Sequence, residues 1–467
     1  MGGRKVKDFF LTSYSVKGIK TLDEWVTLSF YKKTITKNPD TQDYNIKGIY
    51  GMNGSGKSGI VTSVEILRNL LIDPGYLNNP VVQRNLDAII NKKTKELSIE
   101  VEYMAKVNKG LMLFCYIISL EKNSIGKYVI VSESLSSKKA TSKQGKLETV
   151  LEIKNGEFVS IYKDSKDKLI RDFRDKTKNL LSTASMSALF LEKFLLEIFK
   201  AIRKANNSGE IEYAIVSLCS LCAIGRKIHV YLDQSDDYRQ YLAYNSLGYK
   251  RDHENYDSEL DSMISDFLKT ENDFLNILKP TNNFITKNQY KYFEKRIQNL
   301  YGFLHIFKAD LQSIEIEKKE DHNFWICDLV MVYKNYKIHA EFESTGIKKL
   351  IQLFAYIKEM VEGGIVFLDE FDSNLHDVYL CALLEYLMEY GKGQLCFTTH
   401  NVGPMDVLKQ HKKSIDFLSE DHKIYQWKTS GNYSPSKLYR NGMIEGSPFN
   451  VDSIDFIEAF GSGEEDE

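Results

Sequence analysis

A glycine-rich stretch at residues 51–58, Gly-Met-Asn-Gly-Ser-Gly-Lys-Ser, carries the clearest chemical pattern in this 467-residue chain. Glycines at this spacing let the backbone turn so that successive N–H groups point inward and surround phosphate oxygens. The Lys57 side chain would reach the β- and γ-phosphates of a nucleotide, and the Ser58 hydroxyl would bind Mg²⁺. The residues that we predict to contact the nucleotide are Gly51, Asn53, Gly54, Ser55, Gly56, Lys57 and Ser58.

The residues on either side of this loop predict the elements that hold it. Residues 45–50 predict a short strand entering the loop, and the apolar residues after the loop recur at helical spacing. Those apolar residues are Ile60, Val61, Val64, Leu67 and Leu71. A helix that starts at the loop favours an anion there, because its first backbone N–H groups point at the ligand. The alternative is a Gly/Ser-rich turn that matches by chance, and the flanking strand and helix argue against it.

A second candidate group lies at residues 365–370, Ile-Val-Phe-Leu-Asp-Glu. Four apolar residues in a row, preceded by two glycines, predict a strand that is buried on both faces in a parallel sheet. Two carboxylates at the end of such a strand are costly unless they reach a cleft. In a nucleotide site Asp369 would hold Mg²⁺, and Glu370 would polarise the attacking water as a catalytic residue. This pattern is weak alone and becomes specific beside the glycine-rich loop.

A histidine follows another predicted buried strand at residues 394–399. A single histidine after a strand is more often structural than catalytic. We nevertheless predict that His400 contacts the γ-phosphate, because neighbouring parallel strands place their carboxyl ends at one crevice. Upstream, Ser344 fits the N-cap of a helix, and Gly346 would leave the start of that helix open to a close ligand. Alone, the segment around Ser344 predicts only a helix cap.

Composition limits the class of protein. A formal net charge of -2 and 43% hydrophobic residues argue against a histone-like nucleic-acid binder, although a local basic groove stays open. No apolar run approaches the ~20 residues that cross a bilayer, and the polar N-terminus lacks the apolar core of a secretory signal. Cys219 and Cys222 form a C-x-x-C pair with no second pair or histidine partner, which indicates buried thiols rather than zinc ligands. The pattern is typical of a cytoplasmic, reduced protein.

The hydrophobic periodicity predicts a mainly β region first, up to about residue 160. The predicted elements after the loop helix are a helix at 76–91, a hairpin over 97–120, and strands at 127–132 and 149–159. The polar stretch 136–146 is predicted to be a solvent loop, with a nucleic-acid contact as the less favoured alternative.

The period then changes to that of helices, and strands return after residue 308. Helices are predicted at 169–180, 187–204, 210–225, 256–278 and 288–307. Their charged faces indicate solvated amphipathic helices, and a partner-binding arm is the alternative. The later predictions are strands at 311–317, 324–333 and 336–343, a helix at 378–390, and a hairpin formed by 422–428 and 434–440.

Together, the motifs resemble those of ABC-type ATPases, in the branch that contains the heads of SMC and RecF proteins and the OLD-like ATPases of bacterial phage defence. In this resemblance the motif names are Walker A for 51–58, signature for Ser344 and Gly346, Walker B for Asp369 and Glu370, D-loop for 372–376, and switch histidine for His400. The resemblance covers residues 8–105 and 310–410. Ile347 and Lys348 replace the second glycine and the glutamine of the transporter-type signature, which points away from transporters.

The resemblance implies a fold class and a division of the chain. The expected fold is α/β, a P-loop NTPase head of ABC type with a mixed sheet, an antiparallel β subdomain and a helical insertion. Residues 1–163 and 308–460 are predicted to be the two parts of one split head. Residues 164–307 are predicted to be the insertion, and 461–467 an acidic tail.

The resemblance also implies ATP and Mg²⁺ as cofactors and a homo-oligomer, a dimer or higher. In such heads the signature of one subunit closes over the nucleotide at Walker A of another, so Ser344 would act in trans and a single chain would hydrolyse ATP poorly. OLD-family nucleases carry a Toprim nuclease domain after the ATPase, and the residues after Asn401 are too few for one. A separate effector protein, such as a nuclease, is therefore expected.

Three functions follow from these expectations. The leading hypothesis is an ATP-hydrolysing sensor or scaffold that controls a separate effector in anti-phage defence or abortive infection. The alternative is a DNA-clamping repair or chromosome-structure ATPase of the SMC or RecF kind, with nucleic acid as its partner. A nucleotide-gated binding module with negligible turnover is the third, and the presence of Glu370 argues against it. None of the three predicts a membrane partner.

Overall fold

The computed structural model describes residues 9–107, 110–142, 145–161, 168–191, 209–232, 277–322, 324–428 and 434–447. In chain order its strands are β1 Phe9–Lys17, β2 Val26–Ser29, β3 Ile46–Tyr50, β4 Glu96–Val107, β5 Gly110–Lys122, β6 Tyr128–Lys139, β7 Glu148–Lys154, β8 Glu157–Ile161, β9 Ile228–Tyr231, β10 Asn283–Thr286, β11 Leu311–Asp321, β12 Phe324–Tyr333, β13 Lys337–His339, β14 Ile365–Leu368, β15 Gln394–Thr398, β16 Ile415–Leu418 and β17 Ile424–Gln426.

The helices follow the same chain-order numbering. They are α1 Lys57–Ile72, α2 Pro80–Ile89, α3 Lys168–Thr177, α4 Met186–Leu189, α5 Gly209–Lys227, α6 Tyr290–Phe307, α7 Thr345–Glu362, α8 Asp377–Tyr390, α9 Gly403–Leu408 and α10 Pro435–Arg440. In the described part of the chain, no helix is both long and apolar enough to span a membrane.

The sheet that positions the predicted motifs has six strands in the order β17-β16-β3-β15-β14-β9. All of its neighbours pair in parallel except β16 and β17, which are antiparallel. Every residue of β3, β14 and β15 is buried, which explains their continuous apolar runs. Because β15 lies between β3 and β14, the carboxyl ends of the three motif-bearing strands lie side by side.

Helices cover both faces of this sheet. Alternate residues of a strand point to opposite faces, and in β14 Phe367 packs into one core with α1 and α5. Its neighbour Leu368 packs into a second core with α7, α8 and α9. The two cysteines Cys219 and Cys222 are buried on α5 within the first core, as predicted, and burial raises the pKa of the Cys222 thiol to about 12.

The predicted antiparallel β subdomain is a seven-stranded sheet in the order β2-β1-β4-β5-β6-β7-β8. It shares the core of α1 and α5. A pair of hydrogen bonds fastens it to the six-stranded sheet: the Leu11 amide donates to the Gln394 side-chain oxygen (2.6 Å), and the Gln394 amide nitrogen donates to the Leu11 carbonyl (3.0 Å). The two sheets therefore form one packed unit around α1.

A third, smaller sheet precedes the signature. It has the order β10-β12-β11, and β13 also pairs with β12. This sheet packs with α6 and the first turns of α7 into a separate core. The signature segment 344–346 thus begins α7 at the junction of the small sheet and the six-stranded sheet.

Most of the predicted elements are present, with several corrections. The 149–159 segment is the hairpin of β7 and β8, and 136–139 belongs to β6 rather than to the solvent loop. The helix predicted at 76–91 is α2, preceded by a single 3₁₀ turn. The strand predicted at 336–343 is only β13, followed by a 3₁₀ turn.

The predicted closing hairpin is wrong. Residues 422–428 contain β17, but its partner is β16, whereas 434–440 contains α10. Ser434 caps α10 by accepting a hydrogen bond from the Lys437 amide, and Pro435 follows at a first-turn position where proline is favoured.

The predictions for 164–307 are only partly covered by the described residues. Helices predicted at 169–180, 210–225 and 288–307 correspond to α3, α5 and α6. The helix predicted at 187–204 coincides with α4 at its start, and its remainder, like nearly all of 256–278, lies outside the described residues. Within the same interval, β9 is an edge strand of the six-stranded sheet. The domain limits stay a prediction, but this strand of the interval is part of the head.

Candidate nucleotide site

The glycine-rich loop connects β3 to α1, the context that the sequence predicts. Gly54 has φ +81° and Gly56 has φ +107°, in the left-handed region that favours glycine. A Cβ at Gly54 would meet no atom within 4 Å, so its backbone conformation alone requires glycine. A Cβ at Gly56 would also collide with the Leu22 side chain. Gly56 is the N-cap of α1, so the first N–H groups of a 16-residue helix open into the loop.

The polar groups of this loop are arranged for an anion. The Lys57 ammonium donates to the backbone carbonyls of Gly51 (2.7 Å) and Met52 (2.9 Å) and is almost buried. The Ser55 hydroxyl is buried and has no hydrogen-bond partner among the described residues. A buried hydroxyl without a partner is costly, and a phosphate oxygen would satisfy it. Asn53 lies exposed at the loop tip, and Ser58 is half-buried at the start of α1. These residues fit a nucleotide phosphate with Mg²⁺ beside Ser58.

Burial lowers the pKa of Lys57 to about 8, against the opposing effect of the nearby carboxylates. Phosphates stabilise the ammonium form, so binding of ATP above pH 8 requires uptake of a proton. We therefore expect the Kd for ATP to rise by up to about tenfold per pH unit above pH 8. Equilibrium titration with ATP between pH 7 and pH 9.5 measures this effect.

The matched control for this pH dependence is Lys57→Arg, because arginine stays charged over this range. Its affinity for ATP is expected to be lower and independent of pH. A Kd of the parent protein that stays flat up to pH 9.5 would contradict the effect of burial on Lys57.

The two Walker B carboxylates follow β14 and are held by the neighbouring strand β15. The Thr398 hydroxyl donates to the Asp369 carboxylate (2.5 Å) and accepts from the Glu370 backbone amide (2.9 Å). Asp369 is half-buried and Glu370 is exposed, so neither carboxylate is enclosed in the core. Glu370 has φ +48°, an unusual left-handed conformation for a residue other than glycine. Backbone strain of this kind persists only where the surroundings hold it.

His400 lies at the rim of the same cleft, two residues after β15. Its side chain is exposed, yet partial desolvation lowers its pKa, and the Lys57 ammonium lowers it further. Asp372, Glu370 and Asp369 act in the opposite direction. The imidazole is therefore mainly neutral at pH 7, in a form that can donate one hydrogen bond and accept another.

The mutual electrostatic effects show which predicted residues the fold brings together. Asp369, Glu370 and Asp372 all influence the pKa of Lys57. These three carboxylates and Lys57 also influence the pKa of His400. A lysine, three carboxylates and a histidine, from segments about 300 residues apart in the chain, thus lie within electrostatic reach of one another. This convergence is what the pairing of the motifs predicted.

The signature segment lies against the D-loop of its own chain. The Ser344 side chain caps α7 by accepting a hydrogen bond from the Ile347 amide (3.4 Å), as predicted. The Thr345 hydroxyl donates to the Asn374 side-chain oxygen (3.3 Å). A Cβ on Gly346 would lie 2.6 Å from the Asn374 carbonyl oxygen. One close approach at Gly346 is therefore to the D-loop backbone of the same chain, and the predicted contact with a ligand stays a prediction.

We expect Gly346→Ala to move the D-loop and to lower the ATPase rate by about tenfold or more, because a backbone carbonyl cannot yield like a flexible side chain. The φ of Gly346 is not in the left-handed region, so the clash alone causes the effect. Gly302→Ala is the control, since a Cβ at Gly302 in α6 meets no atom within 4 Å. That control is expected to stabilise the protein by about 0.5–1 kcal/mol. Steady-state ATPase assays and thermal unfolding measure both, and equal rates for the two variants would contradict the role of the contact.

Two residues of the site were missed by the sequence analysis. Thr398 bridges Asp369 and Glu370, and Lys349 on α7 donates to the Glu370 carbonyl (2.5 Å). The threonine lies directly before the Thr399-His400 pair, so its position was a usable signal. The lysine gave none, because charged residues are common on the first turns of amphipathic helices.

One part of this chain is similar to a known protein family. Residues 239–406 match a family model described as "AAA domain, putative AbiEii toxin, Type IV TA system". That range includes the signature, Walker B and the switch histidine. The chain is also similar to a solved structure of the recombination mediator protein RecF, described as "RecF-ATPrS in RecFOR pathway", with 12% identity and a TM-score of 0.38. The alignment covers 91% of this chain and 100% of that chain. No curated protein matches the sequence.

The family match covers the later motifs but not the glycine-rich loop, which lies outside residues 239–406. The fold itself is α/β, with a mainly parallel six-stranded sheet that leads from β3 through the glycine-rich loop into α1. The predicted fold class, α/β with a mixed sheet and an antiparallel β subdomain, is confirmed.

Proposed function

We propose that this protein binds ATP with Mg²⁺ and hydrolyses it, and that the nucleotide controls its assembly with a second copy. The observation that carries the proposal is the convergence of Lys57, Asp369, Glu370 and His400 in one crevice at the carboxyl ends of β3, β14 and β15. Such a crevice at the ends of adjacent parallel strands is the usual ligand site of an α/β sheet.

Each residue of the crevice has a distinct task in this proposal. Lys57 and the N–H groups of loop 51–58 neutralise and orient the phosphates. Glu370, exposed at the cleft, accepts a proton from the attacking water. The neutral His400 donates a hydrogen bond to the γ-phosphate. Ser58 and Asp369 would hold Mg²⁺, which supplies charge neutralisation on the phosphates when bound.

We further propose that the signature acts on the nucleotide of a neighbouring subunit. In its own chain the signature lies on the D-loop, and the contacts of Thr345 and Gly346 with Asn374 make the two segments one surface. A second copy that places this surface over loop 51–58 would complete the site. Such an arrangement makes turnover depend on protein concentration.

The biological role that we propose is control of a separate effector in anti-phage defence. The matching family model is described as a toxin of a type IV toxin–antitoxin system, which supports a role in a two-component system of this kind. In this proposal ATP closes the dimer, and hydrolysis or a phage trigger reopens it or releases the effector, such as a nuclease.

The test is a set of measurements on the purified full chain. Steady-state hydrolysis of ATP, oligomeric state with and without ATP, and gel shift with duplex DNA are measured at several protein concentrations. Turnover that rises more than linearly with protein, and ATP-dependent dimers without DNA binding, are expected. Tight ATP-dependent binding of duplex DNA would instead favour a clamp of the SMC or RecF kind. Absence of any ATP turnover would overturn the enzymatic proposal.

A further inference from the structure

A buried lysine joins the signature helix to the turn that carries the catalytic glutamate. Lys349 lies one turn into α7 and is 4% exposed. Its ammonium donates to the Glu370 backbone carbonyl (2.5 Å) and lies 5.7 Å from the centre of the Tyr231 ring. An ammonium is costly to bury, so a charge at this position needs a strong acceptor and a stabilising ring face.

The same carbonyl belongs to the residue with the unusual backbone. Glu370, with φ +48°, is fixed at its amide by the Thr398 hydroxyl (2.9 Å). At its carbonyl it accepts hydrogen bonds from Lys349 and from the Ser373 amide (3.1 Å). A charged donor forms a stronger hydrogen bond than a neutral one. Lys349 therefore supplies a side-chain contact that holds this turn, and it comes from a different element.

The signature and Lys349 lie close together at the start of α7. Ser344, the N-cap, and Lys349 are separated by five residues, or roughly 7–8 Å of helix. Tyr231 completes the connection, because its hydroxyl donates to Gln352 on α7 (3.2 Å) and its carbonyl accepts from the Asp369 amide (3.0 Å). A displacement of the signature would thus be transmitted directly to the Walker B turn.

We propose that Lys349 is a positioning residue that couples the orientation of Glu370 to the position of α7. This inference rests on the proposed function, in which the start of α7 contacts the nucleotide of a neighbouring subunit. When the neighbour's nucleotide seats the signature, Lys349 holds the Glu370 turn in the geometry that hydrolysis requires. Each subunit then hydrolyses its own ATP only when its signature is engaged.

The test compares Lys349→Met with Lys358→Met, each in the parent protein and in Glu370→Gln. Methionine keeps the length and apolar stem of lysine and removes the charged donor. Lys358 is the matched control, because it lies on the same helix, remote from the signature, and its ammonium pairs with the Glu362 carboxylate of α7 (3.5 Å). Affinity for ATP, kcat, KM and ATP-dependent oligomerisation are measured for every variant.

We expect Lys349→Met to lower kcat by at least tenfold while the Kd and KM for ATP stay within about threefold of the parent. In the Glu370→Gln background the same change should have no further effect on residual hydrolysis, because two residues that act through one group give non-additive losses. Lys358→Met should stay within twofold throughout. A general structural role would instead raise KM, weaken ATP binding and add to the loss in Glu370→Gln.

A kcat of Lys349→Met within twofold of the parent, or a fully additive loss with Glu370→Gln, would overturn the inference. Circular dichroism establishes that each variant is folded. If Lys349→Met does not fold, Lys349→Gln carries the same expectation, because its amide is polar but too short to reach the carbonyl. Failure of the proposed function is distinguishable: the parent would then lack ATP turnover, or Glu370→Gln would hydrolyse ATP at the parent's rate.

Discussion

Lys57→Ala is expected to abolish ATP binding, with a loss of affinity of at least about 100-fold, or roughly 3 kcal/mol. The Lys57 ammonium is nearly buried and donates to two carbonyls of loop 51–58, so it lies inside the loop that would surround the phosphates. Without this ammonium, the three nearby carboxylates would repel the phosphates with no positive charge of Lys57 to offset them. Equilibrium titration with a fluorescent ATP analogue measures the loss.

The same substitution is expected to cost little stability. Burial lowers the pKa of Lys57 on folding, so the unfolded chain binds more protons between about pH 8 and pH 10.5. Stability therefore rises with pH across that window, and below pH 8 the charged lysine opposes folding. Removing the ammonium relieves this cost and offsets the lost packing of its stem. At pH 7 the unfolding temperature should change by only a few degrees.

Lys337→Ala serves as the charge-matched control, because Lys337 pairs with Glu315 on the exposed small sheet, away from the crevice. It should bind ATP like the parent. If Lys57→Ala binds ATP within threefold of the parent while remaining folded, loop 51–58 is not the phosphate site.

Glu370→Gln is expected to bind ATP normally and to hydrolyse it 10²- to 10⁴-fold more slowly, the usual contribution of a positioned general base. Glutamine keeps the size of the side chain and one acceptor oxygen, but it cannot take a proton from water. The side chains of Thr398 and Lys349 contact only main-chain atoms of Glu370, so these contacts should survive the change. ATP should therefore accumulate in an assembled oligomer, visible by size-exclusion chromatography as an ATP-dependent shift.

The control for this loss is Glu385→Gln, on an exposed position of α8. It removes the same charge and should leave kcat unchanged. A Glu370→Gln variant that hydrolyses ATP at the parent's rate would assign the base to another residue, with Asp372 as the remaining carboxylate next to Lys57.

The errors and omissions of the sequence analysis have a common physical origin. The hairpin was predicted over 422–428 and 434–440, whereas the N-cap of Ser434 and the following Pro435 favour a helix at the second segment. The four-residue strands β9 and β16 are too short to show a period. Their strand conformation depends on the fully buried strands with which they pair, β14 and β3.

The contacts around Glu370 could not be read from the sequence for a similar reason. Lys349 is one of many lysines in the chain, and only the packing of α7 against β14 and β9 makes it a buried donor. The approach of the Asn374 carbonyl to Gly346 could not be read either, because sequence indicates where small residues occur but not which atoms approach them.

The sequence by itself determined the phosphate loop, the two acidic residues after a buried strand and the histidine after the next one, since each depends on residue types within eight positions of one another. It also determined that these motifs belong to one α/β sheet, because fully apolar runs favour parallel strands. Only the tertiary structure decided the order β3-β15-β14, the bridge that Thr398 makes between two carboxylates, and the joining of α7 to both the D-loop and the Glu370 turn. Those features arise from contacts between residues far apart in the chain, whose partners are chosen by packing rather than by local pattern.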